Sequence, residues 1–330
     1  DMEFNRLLSQ AISFYGEPGN KDFNEKTQAR KNNKINTKNY KTISNEKQLN
    51  ELIQKLNEKS VIAVDTETSS LNPLEADLVG ISLCYEANQA YYIPLGHKKK
   101  TELKKDLVLK KLKSILEDTS IKKVGQNIKY DFIIFKNENI ELSPIDDTML
   151  LSYTLDAGNN RHNMDTLSEL HLGHKSISYK EIVGTGKKQL NFSEVDLKSA
   201  TEYAAEDADI TLRLYELLSE RVSNEKLEKI YEVFEKPMIK ILAKLETSGI
   251  KVDDVYLKKL SKKFEERLIN IEKKIYKITG KEFNIGSPKQ LGEIIYNDLK
   301  IAKLKKTKKG SLATSAKILE DLAMSGHKFP

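Results

Sequence analysis

Cysteine is almost absent from this sequence, and so are the long apolar runs of membrane proteins. The single cysteine, Cys84, lies in an apolar run at residues 79–84, which predicts a buried and inert thiol. No apolar stretch approaches the roughly 20 residues that cross a bilayer, and no charged-then-apolar N-terminus indicates a signal peptide. The sequence therefore argues against a membrane protein, and nothing in it requires an oxidising compartment.

The composition that is present is typical of a globular protein. The 330 residues, 38% hydrophobic and 32% charged, are enough for two domains. A formal net charge of +6 permits a polyanionic partner, although scattered surface lysines would give the same sum. The chain begins at Asp1 and stops at Pro330 just after a helical pattern, so we expect it to be a fragment.

The apolar patterns predict an α/β domain followed by a helical region. Three strands in an antiparallel meander are expected, at residues 61–64, 78–85 and 90–94. A short strand at residues 121–125 then alternates with helical patterns, which indicates a mixed sheet flanked by helices. After residue 225 the pattern is helical, and apolar residues recur at three- and four-residue steps from Leu257 to Ile278, as in a packed coiled-coil seam.

Two carboxylates follow the first predicted strand. Asp65 and Glu67 stand at positions i and i+2, so their side chains leave a strand on the same face. Carboxylates held side by side repel each other and are tolerated mainly where a cation or a shared proton offsets their charge. On its own such a pair is more often a solvated turn, so it predicts a metal site only weakly.

Two further carboxylates can reach the same place. Asp131 lies in the first turns of a helix that follows a glycine turn, and Asp207 lies on a later helix, one turn after Tyr203. Read alone, that later helix is amphipathic with a wet acidic face. Four clustered carboxylates would repel unless two divalent cations bound among them. Oxygen ligands without nearby His or Cys favour Mg²⁺ or Mn²⁺ over zinc.

Three stretches carry a family resemblance: Val64-Asp65-Thr66-Glu67-Thr68, Gly125-Gln126-Asn127-Ile128-Lys129-Tyr130-Asp131 and Tyr203-Ala204-Ala205-Glu206-Asp207. They resemble, in order and separation, the exonuclease motifs of the bacterial DNA polymerase I family (family A), and the tyrosine subclass of the DEDD 3′–5′ exonuclease superfamily. The resemblance covers about residues 60–330. It implies an α/β fold with a ribonuclease-H-like mixed sheet flanked by helices, followed by an all-α, thumb-like region.

The resemblance also implies four segments. We expect the tail of a preceding 5′-nuclease domain at residues 1–15, a flexible linker at 16–43, the 3′–5′ exonuclease domain at 44–224, and the start of a polymerase domain with a partial thumb at 225–330. The palm and fingers of the family are absent from the sequence. No polymerase activity is therefore expected of this fragment.

Residue roles carry over where the motifs match. Asp65, Glu67 and Asp207 would hold the cation on the side of the nucleophile, Asp65 and Asp131 would hold the second, and Tyr203 would stand beside the attacking water. The resemblance implies substrate-binding roles for Thr66, Leu71, Gln126, Asn127, Tyr130, Arg161 and Tyr179. Leu71 matches a side chain that wedges against the terminal bases. Tyr179 stands where many relatives have phenylalanine, and an aromatic stack onto a base survives that change.

The leading hypothesis is a metal-dependent 3′–5′ exonuclease that removes nucleoside 5′-monophosphates from single-stranded or frayed DNA ends, the proofreading activity of a polymerase. The expected partners are a single-stranded 3′ end and a duplex held by the thumb, without a membrane. We expect a monomer in a bacterial cytoplasm, associated with the nucleoid.

Two alternatives stay open. One is an RNA 3′ exonuclease of the same superfamily, similar to RNase D, and the other is a DNA-binding scaffold without catalytic activity. The thumb-like region argues against the first alternative. The complete set of carboxylates argues against the second.

Overall fold

A computed structural model describes residues 35–98, 101–186, 189–302 and 312–329. The chain divides into two compact units, Asp1–Gly249 and Ile250–Pro330. The predicted nuclease tail and most of the predicted linker lie outside the described residues. Within the described ranges, no helix combines the length and the apolar character needed to span a bilayer.

A six-stranded mixed sheet forms the centre of the first unit. Its strands are Lys41–Thr42 (β1), Val61–Thr68 (β2), Leu78–Glu86 (β3), Gln89–Pro94 (β4), Lys122–Gly125 (β5) and Ile145–Asp147 (β6), in the order β1-β4-β3-β2-β5-β6. β2, β3 and β4 pair antiparallel, as the predicted meander requires. β5 pairs parallel with β2 and with β6, and β1 pairs parallel with β4. The predicted mixed sheet is confirmed.

Helices flank this sheet. They are Glu46–Asn57 (α1), Lys105–Leu116 (α2), Lys129–Asn137 (α3), Thr148–Asp156 (α4), Met164–Leu167 (α5), Tyr179–Val183 (α6), Leu197–Asn224 (α7), Glu228–Ile230 (α8) and Lys236–Ser248 (α9). π-helical turns extend α5 over Ser168–Leu172 and join α8 to α9 over Tyr231–Glu235, and 3-10 turns form at Thr37–Asn39 and Phe192–Glu194. α1 buries Leu49, Leu52 and Leu56, the face that its periodicity predicts.

α7 packs across β2, β3 and β4 with a face of small residues. Ala200, Ala204, Ala205 and Ala208 are all fully buried, and their short side chains let the helix backbone approach the sheet closely. Asp196 begins the helix by accepting hydrogen bonds from the amides of residues 198 and 199. The acidic face expected to be wet is buried instead, because this helix lies over the end of the sheet that carries the other carboxylates.

The end of the predicted linker is ordered structure. Residues 41–42 form β1 against β4, and Ile43 is buried. The Tyr40 hydroxyl donates to Oδ2 of Asp209 over 2.7 Å, while Asp209 also accepts from the side chain of Arg213. A two-residue strand is too short to show a periodicity, so the sequence pattern could not reveal this attachment.

The first unit extends to Gly249, past the predicted domain boundary at residue 224. Tyr231, Ile239 and Ala243 are 1–3% exposed and belong to its hydrophobic cores. Pro237 stands in the first turn of α9, directly after the π-helical turn, and a proline within a continuous helix removes one amide donor from it. Residues 225–249 are therefore structurally part of the same unit as the sheet.

The second unit is helical in its described part, as predicted. It contains Asp254–Thr279 (α10), Pro288–Glu293 (α11), a π-helical turn at Ile294–Asp298, and Ala316–Met324 (α12). Its core gathers around Ile294, Ile295 and Tyr296. The expected packing of the α10 seam is wrong for Leu257, Phe264 and Leu268, which are 49%, 56% and 66% exposed, whereas Ile275 packs against this core. No described element of this unit covers the part of the seam that carries these three exposed side chains.

Candidate active site

β2 fixes the first two carboxylates. Asp65 and Glu67 lie opposite Ser82 and Gly80 of β3, and both side chains leave the same face of the sheet, as predicted. The strand register shifts directly after Glu67. The two carboxylates are thus held by an interior strand at the point where its regular pairing ends.

α7 adds Asp207 to this pair. One carboxylate oxygen each from Asp65, Glu67 and Asp207 lies within 4.8 Å of the others. Oxygen ligands stand about 2.0–2.6 Å from Mg²⁺ or Ca²⁺, so three oxygens at this spacing can bind one cation. The three-carboxylate cluster, as we call Asp65, Glu67 and Asp207, is buried or half-buried throughout.

Asp131 enters the same cleft from the turn between β5 and α3. It lies in the first turn of α3 and is 3% exposed. Its Oδ1 accepts hydrogen bonds from the Thr66 amide (2.9 Å) and from the Thr66 hydroxyl (2.6 Å). Since Thr66 stands between Asp65 and Glu67, these bonds tie the start of α3 to β2. Asp131 therefore lines the cleft beside the three-carboxylate cluster.

The carboxylates disfavour one another's charge. Burial raises the pKa of Asp65 to about 6. Burial, followed by the charge of Asp65, raises the pKa of Glu67, Asp131 and Asp207 well above the ordinary range. No Lys, Arg or His stands among the described residues that line the cleft. This all-oxygen, uncompensated donor set fits a hard divalent cation.

Tyr203 lies one turn before Asp207 and also faces the cleft. Burial first, and then the charges of Asp207 and Glu67, raise the pKa of its phenol. The phenol therefore stays protonated at neutral pH and donates its hydrogen to Asp207. This is the placement that the helical spacing of Tyr203 and Asp207 predicts.

The cleft has a volume of about 600 Å³, and the segment at residues 68–71 forms part of its wall. The Tyr130 hydroxyl bonds the Thr68 hydroxyl and the carbonyl oxygen of Ser70, which fixes this segment to α3. Leu71 follows at its end with 93% of its side chain exposed. An apolar side chain is thus presented to whatever enters the cleft.

Gln126 and Asn127 line the cleft, whereas Arg161 is exposed and lies outside the lining. The amide of Gln126 is engaged at both ends: it accepts from the Thr148 hydroxyl and donates to the His162 carbonyl over 2.7 Å. His162 is the neighbour of Arg161, so Gln126 holds the segment that carries the arginine. Of the predicted site residues, Arg161 alone is not brought into the cleft.

The predicted site residues did not include seven residues of the lining, which form two segments: Thr68, Ser69 and Ser70, and Gln189, Leu190, Asn191 and Phe192. The Asn191 amide donates to the Ser69 carbonyl over 3.0 Å, which joins this segment to the wall at residues 68–71. The Phe192 ring stacks on Tyr179 with centroids 6.2 Å apart, and lies 6.0 Å from Tyr203. The available signal was Leu190, an isolated leucine after a Gly- and Lys-rich stretch, and such single exposed residues are common on any surface.

Comparison with known proteins identifies the family to which this chain belongs. A family model described as 3′–5′ exonuclease matches residues 40–223, and another, described as DNA polymerase family A, matches residues 254–330. DNA polymerase I of Rhizobium leguminosarum is 42% identical over 311 residues, which cover 88% of this chain and 31% of that protein. DNA polymerase I of Pseudomonas aeruginosa is 39% identical over 285 residues, which cover 84% of this chain and 31% of that protein. The chain thus spans under a third of the length of these relatives.

A solved structure supports the fold. The polymerase domain of Pol1 from M. smegmatis, in complex with a DNA primer-template and dNTP, matches with a TM-score of 0.65 and 22% identity over 87% of this chain and 46% of that chain. The exonuclease model, by contrast, identifies the family directly, because it covers more than half of the chain and contains all four predicted metal-ligand positions. The chain is a member of the family A DNA polymerases and carries their 3′–5′ exonuclease domain.

Proposed function

We propose that the first unit hydrolyses the 3′-terminal phosphodiester of single-stranded DNA with two divalent cations, Mg²⁺ or Mn²⁺, and releases nucleoside 5′-monophosphates. The observation that carries this proposal is the convergence of Asp65, Glu67 and Asp207 within 4.8 Å. Asp131, held in the same cleft by Thr66, supports a second cation. The proposed role within a larger polymerase is the removal of misincorporated 3′ nucleotides.

Each carboxylate has a distinct place in the proposed reaction. Asp65, Glu67 and Asp207 would hold the cation on the side of the attacking water, and Asp65 with Asp131 would hold the second. Such a cation pair would neutralise the carboxylates and polarise both the water and the scissile phosphate. Thr66 occupies Oδ1 of Asp131, which leaves Oδ2 for ligation. The phenol of Tyr203 would stand beside the water and help to orient it for attack on phosphorus.

The cleft walls support a single strand as substrate. Tyr179 offers an aromatic face that can stack on a base without regard to its identity, and Leu71 can wedge against the last base pair of a frayed end. We propose that Thr66, Gln126, Asn127 and Tyr130 contact the last nucleotides. Arg161, which lies outside the cleft, would meet the phosphate backbone further along the strand. The second unit is proposed to bind the duplex, and the protein to act as a monomer.

The test is digestion of a labelled DNA oligonucleotide by wild type and Asp207→Ala, in the presence of Mg²⁺. The variant should lose digestion and keep its far-UV circular dichroism spectrum, because it removes a ligand and not a core contact. Glu202→Gln is the matched control, since it removes a surface carboxylate from the same helix and should digest at the wild-type rate. Unchanged digestion by Asp207→Ala would rule the proposal out, and preferential digestion of an RNA oligomer would favour the RNase-D-like alternative.

A further inference from the structure

Tyr231 connects residues beyond the exonuclease family match to the interior of the exonuclease unit. It lies in the π-helical turn between α8 and α9, past residue 223 where that match ends, and is 3% exposed. Its hydroxyl accepts a hydrogen bond from the Asp147 amide (2.9 Å) and donates one to Oδ1 of Asp146 (3.2 Å). One phenol thus bonds two successive residues at the end of β6.

The direction of these hydrogen bonds is set by Asp146. Its carboxylate is 2% exposed and lies 2.7 Å from the amines of both Lys122 and Lys236, and it also accepts from the Tyr215 hydroxyl. Two ammonium groups at this distance favour the ionised carboxylate, which can only accept. The hydrogen of the Tyr231 phenol therefore points to Asp146, and its lone pairs are left for the Asp147 amide.

The side chain of Asp147 links the end of β6 to the start of α3 by hydrogen bonds. Its Oδ1 accepts from the amides of Asn127 (3.0 Å) and Met149 (2.8 Å), and its Oδ2 accepts from the amide of Ile128 (3.0 Å). A single buried carboxylate thus caps α4 and the residues that open α3. Asn127 has φ of +59°, a left-handed conformation that costs free energy for a non-glycine residue and persists where its surroundings hold it.

The segment held by Asp147 contributes several residues to the cleft. Asn127, Tyr130 and Asp131 all line it, and Asp131 lies within one turn of the capped amides. A shift of a few tenths of an ångström in this turn would move both a proposed substrate contact and a proposed cation ligand. Rates in such sites are sensitive to misplacement on this scale.

We propose that Tyr231 and Asp147 form a positioning pair for the exonuclease site, in which the segment after the exonuclease family match holds the Asn127–Asp131 turn in place. This inference rests on the proposed function for its kinetic consequence. Neither residue touches substrate in this account; both act through the backbone of Asn127 and Ile128. The alternative is that Tyr231 is a core residue whose hydroxyl contributes only to stability.

The test compares Tyr231→Phe with Tyr85→Phe in the full chain. Both variants remove one buried hydroxyl, and the Tyr85 hydroxyl bonds Tyr91 near the other end of β3, away from the cleft. We expect Tyr231→Phe to lower kcat/KM on a single-stranded oligonucleotide at least tenfold and to speed amide hydrogen exchange at Asn127 and Ile128 at least tenfold. Tyr85→Phe should keep both quantities within twofold of wild type. Equal effects of the two variants, or unchanged exchange at Asn127 and Ile128 in Tyr231→Phe, would contradict the proposal that Tyr231 and Asp147 form a positioning pair.

A second variant covers the case in which Tyr231→Phe does not fold. Asp147→Asn keeps the size of the side chain but turns an amino group toward one of the amides it caps, and it should reproduce both changes. Wild-type kinetics and exchange in Asp147→Asn would also overturn the pairing. Because exchange is measured without substrate, an inactive wild type with the expected exchange pattern would contradict the proposed function and leave the positioning pair standing.

Discussion

Thr66 donates two hydrogen bonds to one oxygen of Asp131, at 2.9 Å from its amide and 2.6 Å from its hydroxyl, across 65 positions of sequence. The residue between the two β2 carboxylates thus orients the carboxylate that arrives on α3. A hydrogen bond within a protein is worth about 1 kcal/mol, and about 2 kcal/mol when its acceptor is ionised, as a bound cation would make Asp131. These bonds hold β2 and α3 in a fixed relation around the proposed cation site.

Thr66→Val should reduce the cleavage rate, because it removes the hydroxyl and keeps the shape and the backbone amide. Loss of a residue that hydrogen-bonds a metal ligand typically lowers metal affinity or activity 10–100-fold. We therefore expect kcat to fall about tenfold. Single-turnover digestion at saturating Mg²⁺ measures this. Thr66→Ser restores the hydroxyl and should restore most of the rate; a Thr66→Val enzyme as fast as wild type would show that Asp131 needs no such support.

Local periodicity predicted which of the proposed cation ligands share a face of the same strand or helix. Asp65 and Glu67 follow from the two-residue period of a strand, and Tyr203 and Asp207 from the four-residue step of a helix. The bond from Asn191 to Ser69 could not be predicted in this way, since it joins polar groups 122 positions apart and leaves no pattern in either segment. Long-range pairing of single polar side chains is decided by tertiary packing.

The same reasoning explains two differences in the fold. β1 has two residues and so no period, and its attachment depends on the bond from Tyr40 to Asp209 on α7. The α10 seam has the right period for packing, but periodicity does not say whether a partner surface is available, and Phe264 is 56% exposed. The periodicity of apolar residues predicts which face of a helix is apolar, but it does not predict what covers that face.

Asn191→Ala should weaken substrate binding, because the two cleft segments that it joins would separate. We expect KM for a single-stranded oligonucleotide to rise about fivefold, in line with the loss of one partly buried hydrogen bond of about 1 kcal/mol, while kcat stays within twofold. Asn137→Ala is the matched control: its amide bonds the Pro73 carbonyl, just beyond the same wall segment, from outside the cleft lining. An equal rise in KM for both variants would indicate that a general loss of rigidity in the wall segment, and not the Asn191–Ser69 bond, raises KM.

Without cations, Asp65 should make the protein less stable as the pH rises. Its pKa is raised from 3.8 to about 6, so between those values the folded state holds a proton that the unfolded state has released. Wild-type stability therefore falls with increasing pH across this window, by up to about 3 kcal/mol relative to Asp65→Asn. Urea denaturation of both proteins in EDTA at pH 4 to 7 measures the difference. If the unfolding free energy of wild type instead rose relative to that of Asp65→Asn with increasing pH, the raised pKa of Asp65 would be contradicted.

Lys123 should have the opposite effect at high pH, where it should make the protein more stable as the pH rises. Its side chain is fully buried, and its amine donates to the carbonyls of residues 115, 118 and 143. Burial lowers its pKa from 10.5 to about 8, so the folded state releases the proton before the unfolded state does. Relative to Lys123→Met, wild type should gain up to about 3 kcal/mol of unfolding free energy between pH 8 and 10.5. Guanidinium denaturation of both proteins across that range checks the sign.

The most direct measurement is thermal unfolding of wild type and Asp65→Asn with and without millimolar Mn²⁺, because Asp65 is the ligand proposed to serve both cations. A cation at 100 times its dissociation constant adds about 2.7 kcal/mol to the stability of a protein that binds it only when folded. We predict that Mn²⁺ raises the melting temperature of the first unit in wild type by about 5 °C or more and leaves that of Asp65→Asn unchanged. A wild-type melting temperature that does not respond to Mn²⁺ would contradict the cation site on which the account depends.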